Sequence, residues 1–196
     1  MPRPGRTGAA SVVALAASYA ALRSEPLIEL DRHVSAAIAV PRGHQADLAV
    51  AAATDLGSVF AVAGLSGTLL ATGRARAAVD VAVAGGLAWI AAQVIKPLVE
   101  RPRPYQAEDR HRLVSEPAGS SWPSGHTAVA AAMASALSPH LPPAARSIPI
   151  GTAAFVAVSR VYVGVHYATD AVAGLAVGAL SGKFSGVLRR LAGRLT

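Results

Sequence analysis

Six apolar stretches alternate along this chain with short polar breaks. The first covers residues 7–22, only 16 positions, and follows Arg3 and Arg6. The next runs from 49 to 72 but is interrupted by Asp55 and Gly57, so the span itself is placed at 56–72, with Arg74 and Arg76 marking its end. The third, 77–99, carries a lone Asp80 near its start. Residues 100–121 are rich in Arg, Pro, Glu and Ser and cannot lie in hydrocarbon. Three more stretches follow at 124–141, 147–165 and 166–187, the last closed by Arg189, Arg190 and Arg194. Unpaired backbone groups are too costly in lipid for open strands, which leaves helices. A hydrocarbon layer of about 30 Å takes roughly 20 helical residues to cross, so several of these spans are minimal or tilted. The expectation is an all-α integral membrane six-helix bundle, one domain over residues 1–196.

Between the first two spans, Leu27, Leu30, Val34 and Ile38 recur at helical spacing, which predicts an interfacial helix. The first stretch has a rival reading as a secretory signal peptide, with its two arginines, short apolar core and small residues at 14–16. Both readings leave the start of the second span on the same side.

Composition sharpens this picture. The chain is 53% hydrophobic and 15% charged, whereas soluble domains carry charge at about a quarter of their residues. The excess is Ala, Val, Leu and Gly, and small residues let membrane helices approach closely. The net charge of +7 raises nucleic acid as a partner. The basic residues nevertheless form short clusters between apolar stretches, not a stripe interleaved with aromatics, so nucleic acid is set aside. With no cysteine there are no disulfides and no thiolate metal sites. With the N-terminus inside, nine Lys and Arg fall on each side. Setting aside Lys96, Arg103 and Arg160, which the site below claims, leaves nine against six and favours that orientation.

Three clusters of polar residues meet at one membrane face under this layout. Lys96 closes the third span and Arg103-Pro104 follows. Pro123-Ser124-Gly125-His126 opens the fourth. Ser159-Arg160 lies near the end of the fifth, with His166 and Asp170 beyond it. Singly, each has a plain structural role. Lys96 and the arginines suit snorkelling anchors, Pro-Ser-Gly suits an N-cap, and His166 with Asp170 suits a satisfied polar pair. Arg101-Pro102 is a second Arg-Pro pair beside the first; the spacing selects Arg103, and Arg101 is expected to face headgroups.

Together, Lys-x6-Arg-Pro, Pro-Ser-Gly-His and Ser-Arg-x5-His-x3-Asp resemble the motifs of the type 2 phosphatidic acid phosphatase (PAP2) superfamily, and match without a departure over positions 96–170. The resemblance implies a bacterial membrane lipid phosphatase. His166 would attack phosphorus to form a phosphohistidine, and His126 would protonate the leaving oxygen and then activate water. Chemistry favours the same roles. Transfer of a phosphoryl group concentrates charge on its equatorial oxygens, so catalysis is positioning and charge stabilisation. Lys96, Arg103 and Arg160 supply three cations, and Ser124 and Gly125 sit where a helix N-terminus would offer backbone N–H groups to phosphate. A carboxylate four residues from His166 on a helix, Asp170, can accept from one imidazole nitrogen and leave the other nucleophilic.

Family substrates include phosphatidic acid, phosphatidylglycerol phosphate and polyprenyl phosphates or diphosphates. A polyprenyl diphosphate or phosphatidylglycerol phosphate is favoured here. No metal or other cofactor is expected, because no zinc or dinuclear ligand set is visible. The expected partners are membrane lipids and the lipid phosphate, at the plasma membrane, with the site on the extracytoplasmic side. Two other functions stay open: a phosphotransferase using the same histidine, and a non-catalytic lipid-phosphate binding or transport subunit. The pocket also resembles that of vanadate-dependent haloperoxidases, which are typically larger and soluble. His33, His44, His111 and His140 are read as interfacial or loop residues without a partner at useful spacing. Asp55 and Asp80 are open to two readings, burial in the bundle, where an acid is a functional candidate, and the membrane interface, which their nearness to span ends favours. Gly174-x3-Gly178 is read as internal packing.

Overall fold

The computed structural model describes residues 6–108 and 110–192, and among them every regular element is helical. Arg3, Asp109 and Arg194 lie outside the described residues. In chain order the helices are α1 (Arg6–Ala21), α2 (Glu25–Ile38), α3 (His44–Ala53), α4 (Val59–Ala71), α5 (Ala75–Val99), the short α6 (Pro104–Ala107), α7 (Gly125–Leu137), α8 (Ser147–Tyr162) and α9 (Ala168–Ala192). Each apolar stretch of the sequence contains one of the longer helices. Two runs are by themselves long and apolar enough to cross a membrane: Ala75–Ala107 and Ala168–Leu191. A third is bent, since His44–Gly57 and Val59–Ala71 meet at 67°. The bend falls at the short 3-10 helix Thr54–Gly57, after which the Ser58 hydroxyl accepts from Ala61 N and caps α4.

The centre of the bundle is α7, packed between α5 and α9. Small residues make this possible. Val81, Ala84 and Ala88 of α5, Ala128 and Ala132 of α7 and Val177 of α9 form one buried cluster. On α9 the stripe Gly174, Gly178, Gly182 faces α7 so closely that a methyl group on Gly178 would stand 2.2 Å from Ala128 O. The same added carbon on Gly174 would meet Ser124 O at 2.6 Å. The glycine motif is thus spent on contact within the chain, because α7 can only reach α9 where no side chain intervenes.

Two local features aim the functional residues. Glu100 takes a left-handed conformation (φ 50°), ends α5 and throws the chain into the Arg101–Arg103 turn. Gly164 (φ 78°) reverses the chain between α8 and α9, and a side chain there would collide with His111 O. That reversal changes one expectation. The sixth span does not begin at His166; residues 163–167 are a link, and α9 starts at Ala168. The fourth helix is likewise shorter than the 124–141 stretch, ending at Leu137 before two 3-10 turns, because Pro139, Pro142 and Pro143 cannot continue it.

The 26–47 segment contains the expected amphipathic helix, α2, with Leu27, Leu30 and Val34 exposed along one face. Its opposite face is polar and buried through Asp31 and Ser35. These two side chains receive the backbone N–H groups of Thr169 and Ala168, so α2 caps the N-terminus of α9 from across the chain.

Candidate active site

At the end of the bundle where α5, α7 and α8 present their motif residues, a cavity of about 390 Å³ is lined by Lys96, Arg103, Gly125, His126, Arg160 and His166. Asp55, Val59, Phe60 and Trp89 complete one side of it. Five of the eight residues expected at a site therefore share the cavity wall with Gly125, and Ser124 and Asp170 stand behind it.

The three cations are buried, and among the described residues none forms an ion pair with a carboxylate. Lys96 Nζ donates to Ser120 O at 2.9 Å. Arg103 is fully enclosed and held by backbone carbonyls: Nε to Gly119 O, one terminal nitrogen to Val165 O, the other to Ala118 O and Ser120 O. The 100–121 segment therefore wraps Arg103 and fixes it. Arg160 has a long contact of 3.4 Å with Thr54 Oγ1, and its Nε has no partner. Buried charge is costly unless compensated, and around this cavity three cations stand against the one carboxylate of its lining, Asp55.

His166 occupies the floor, in the α8–α9 link and outside both helices. Its Nε2 stands 3.4 Å from an Arg103 terminal nitrogen. Arginine only donates, so Nε2 is assigned the lone pair and Nδ1 the proton. Nδ1 lies 3.5 Å from Asp170 Oδ2, at the outer limit of a hydrogen bond, and has no nearer acceptor. Burial pushes the imidazole well below its ordinary proton affinity, with Asp170 opposing, which keeps His166 neutral. The carboxylate itself is anchored independently: Oδ2 accepts from Ser121 Oγ and from Tyr167 N. The link geometry thus gives the His–Asp pairing expected of two residues on one helix face, although only Asp170 is in the helix.

Ser124 is the N-cap residue of α7. Its hydroxyl pairs with Thr127 Oγ1 at 2.9 Å, and its N–H donates to Asp170 O, so the side chain braces the turn and leaves Gly125 at the cavity wall. The first turn of a helix lacks internal acceptors for its N–H groups, and here that turn opens on the cations.

His126 follows, with Nε2 3.4 Å from Asp55 Oδ1. Asp55 was expected at the interface, not in contact with a site histidine. Nothing local could have paired them, since 71 positions separate the two. Arg101 requires a clear correction. It does not face headgroups; its side chain turns inward and bridges Asp170 Oδ1 at 2.7 Å and Asp31 Oδ2 at 2.8 Å. Two buried carboxylates need a cation, and the turn after Glu100 delivers one. Asp80 is also buried, in the bundle near the start of α5, against His140 Nε2 and Arg189, so His140 has a partner. The reason is the same: helix packing meets the charge from 60 positions away. His33 pairs with Glu29 one helical turn earlier, on the surface. Among the described residues no group of three or more His, Asp or Glu could hold a metal ion.

Comparison with known proteins bears on the family and the fold. The profile described as PAP2 superfamily matches residues 77–191. A transmembrane PAP2 type phosphatidylglycerolphosphate phosphatase from Bacillus subtilis superposes with a TM-score of 0.80 at 23% identity, covering 94% of this chain and 96% of that one. LpxE of Aquifex aeolicus superposes with a TM-score of 0.71 at 27% identity, covering 82% of this chain and 94% of that one. No curated protein sequence matches.

Proposed function

Since this chain belongs to the PAP2 superfamily, we propose that it hydrolyses a phosphate monoester or diphosphate of a membrane lipid through a phosphohistidine at His166, without a metal. The observation that carries this reading is the meeting, in one cavity, of three buried cations lacking carboxylate partners with two histidines, one of them backed by a buried carboxylate. A site that only bound phosphate would need the cations but not the backed histidine.

The steps follow from the atoms. Lys96, Arg103, Arg160 and the first turn of α7 bind the phosphoryl oxygens. His166 Nε2 attacks phosphorus as the bond to the lipid oxygen breaks, and His126 gives that oxygen its proton. Asp170 holds the Nδ1 proton and offsets the positive charge that the imidazole ring gains. His126, now neutral, takes a proton from water; the hydroxide attacks the phosphorus of phosphohistidine, the N–P bond breaks, and inorganic phosphate leaves.

The lipid character of the substrate is supported by the cavity wall. One side is cationic, and the other is Val59, Phe60 and Trp89, with Phe60 and Trp89 exposed on the bundle's flank. That arrangement suits a headgroup in the pocket with its chain leaving into hydrocarbon. A polyprenyl diphosphate or phosphatidylglycerol phosphate is the substrate we favour. In the bilayer, α1, α4 with the bent α3, α5, α7, α8 and α9 form six spans of the plasma membrane, and the site opens on the extracytoplasmic side.

Inorganic phosphate released by the purified protein from a lipid phosphate panel, with EDTA present, tests the reading. Activity should survive EDTA and be lost in His166→Ala, while His126→Ala should lower kcat by about 100- to 10,000-fold. Loss of activity on chelation would sink the metal-free mechanism. Full activity in His166→Ala would remove the phosphohistidine.

A further inference from the structure

Of the cationic side chains around Asp170 and His166, Arg101 is unlike the others. It is absent from the wall of the 390 Å³ cavity, and both ends of its guanidinium are committed to carboxylates. One terminal nitrogen donates to Asp170 Oδ1 and to Thr169 Oγ1, both at 2.7 Å. The other donates to Asp31 Oδ2 at 2.8 Å. The guanidinium carbon lies 4.0 Å from the centre of the Tyr167 ring, so the group is fixed from a fourth direction. Asp31 is itself anchored, accepting from Thr169 N at 3.0 Å and from the Thr169 hydroxyl.

We propose that Asp31 and Arg101 are a pair of positioning residues through which α2 holds the Asp170 carboxylate against His166. This rests on the phosphohistidine reading above. The buried side chains involved are a −1, +1, −1 row of Asp31, Arg101 and Asp170, so one negative charge remains to face the imidazole. Asp170 needs that arrangement because its contact with His166 Nδ1 is long, at 3.5 Å, and cannot fix the carboxylate alone. Arg101 fills the oxygen turned away from the histidine, and Ser121 with Tyr167 N fill the other. Asp31 has a second task. A phosphate dianion close by competes for any mobile arginine, and a bidentate grip on two carboxylates keeps Arg101 on the far side of Asp170. Arg101 therefore acts on the nucleophile through Asp170 without touching the substrate.

The test separates positioning from phosphate binding. In the full chain purified in detergent, Arg101→Gln should lower kcat roughly 10- to 100-fold, the range seen when groups supporting a ligating residue are removed. KM and the inhibition constant of the product, inorganic phosphate, should stay unchanged, because neither reports on attack by His166. Asp31→Asn should lower kcat less, in the same pattern. The double variant should lose less than the product of the two single losses, since Asp31 acts on Asp170 through Arg101 and otherwise only through its cap on Thr169 at the start of α9. Arg101→Lys should recover part of the loss, because an ammonium can reach one carboxylate but not bridge two. A rise in KM and in the phosphate inhibition constant with kcat preserved would overturn the proposal and make Arg101 a substrate ligand. Unchanged kinetics in Arg101→Gln, or multiplied losses in the double variant, would overturn it as well. If Arg101→Gln fails to fold, as judged by gel filtration and melting, the split between kcat and KM in Asp31→Asn decides. A wild-type protein inactive on every lipid would remove the phosphohistidine reading, and this inference with it. An active wild type with indifferent Arg101 and Asp31 variants removes only the inference.

Discussion

Arg160 and Arg103 are both buried cations of the same motif set, yet their surroundings differ. Arg103 gives four of its five N–H groups to carbonyls and faces His166, whereas Arg160 keeps a free Nε and only a long contact to Thr54. Arg103 keeps one N–H, the one beside His166 Nε2, for a substrate oxygen, and the freer Arg160 keeps several. Replacing it, as Arg160→Gln, should lower kcat/KM by about 10- to 100-fold, the equivalent of one or two hydrogen bonds to a charged group. The loss should lie largely in KM, and an unchanged KM would show that Arg160 does not contact the bound phosphate. Arg103→Gln should in addition impair folding, because carbonyls of residues 118–120 and Val165 would lose their donor. At this scale the motif residues were legible in the sequence because each motif is short and places its members within one turn or link. Their partners were not. Asp55 for His126, Asp31 for Arg101 and Asp80 for His140 lie 71, 70 and 60 positions away, and no local pattern marks such a pairing.

Among the helices, α9 shows how small residues set the spacing on which the site depends. Gly178 and Gly186 both occupy the same helix, but only one has a neighbour in the way. A methyl group at Gly178 would press on the Ala128 carbonyl and on Ala131, while nothing lies within 4 Å of one at Gly186. Gly178→Ala should therefore lower the melting temperature in detergent, at a cost of about 1–3 kcal/mol from overpacking. Gly186→Ala should leave it unchanged or raise it, since alanine is favoured over glycine in a helix by roughly 1 kcal/mol. Equal effects of the two would contradict the α7–α9 contact. Because Ser124 N donates to Asp170 O across this same contact, a displaced α9 should also slow the reaction. The apolar stretches announced these helices but not their ends. Gly164, Glu100 and the prolines after Leu137 decide the ends, and they do so through backbone conformation that hydropathy does not record.

For the molecule as a whole, the distribution of charge predicts which face meets which compartment. The chain has no cysteine, so single cysteines can report on sidedness without a background. In intact cells, Ser115→Cys, exposed in the loop before α7, should react with a membrane-impermeant maleimide. Ala144→Cys, exposed in the turn between α7 and α8, should react only after permeabilisation. The reverse pattern would invert the orientation and place the site in the cytoplasm. The two ends of the bundle also differ in kind. One collects the buried cations Lys96, Arg103 and Arg160. The other carries the Asp80–His140–Arg189 cluster, which ties α5, the turn after α7 and α9 together at a buried carboxylate.

What the sequence determined by itself was the helical class, the order of the apolar stretches and the identity of the motif residues that line the cavity. Those follow from local causes: hydrocarbon length, the lack of other ways to satisfy a backbone in lipid, and motifs compact enough to read in a line. Tertiary structure decided the rest. It bent the second stretch at Thr54–Gly57 and moved His166 out of its helix. It turned Arg101 inward, and it gave α2 a buried polar face beneath α9. These outcomes share one physical origin. A buried charge takes its partner from whatever helix packing brings within about 3 Å, the distance of a hydrogen bond, and that neighbour is set by the fold, not by position along the chain.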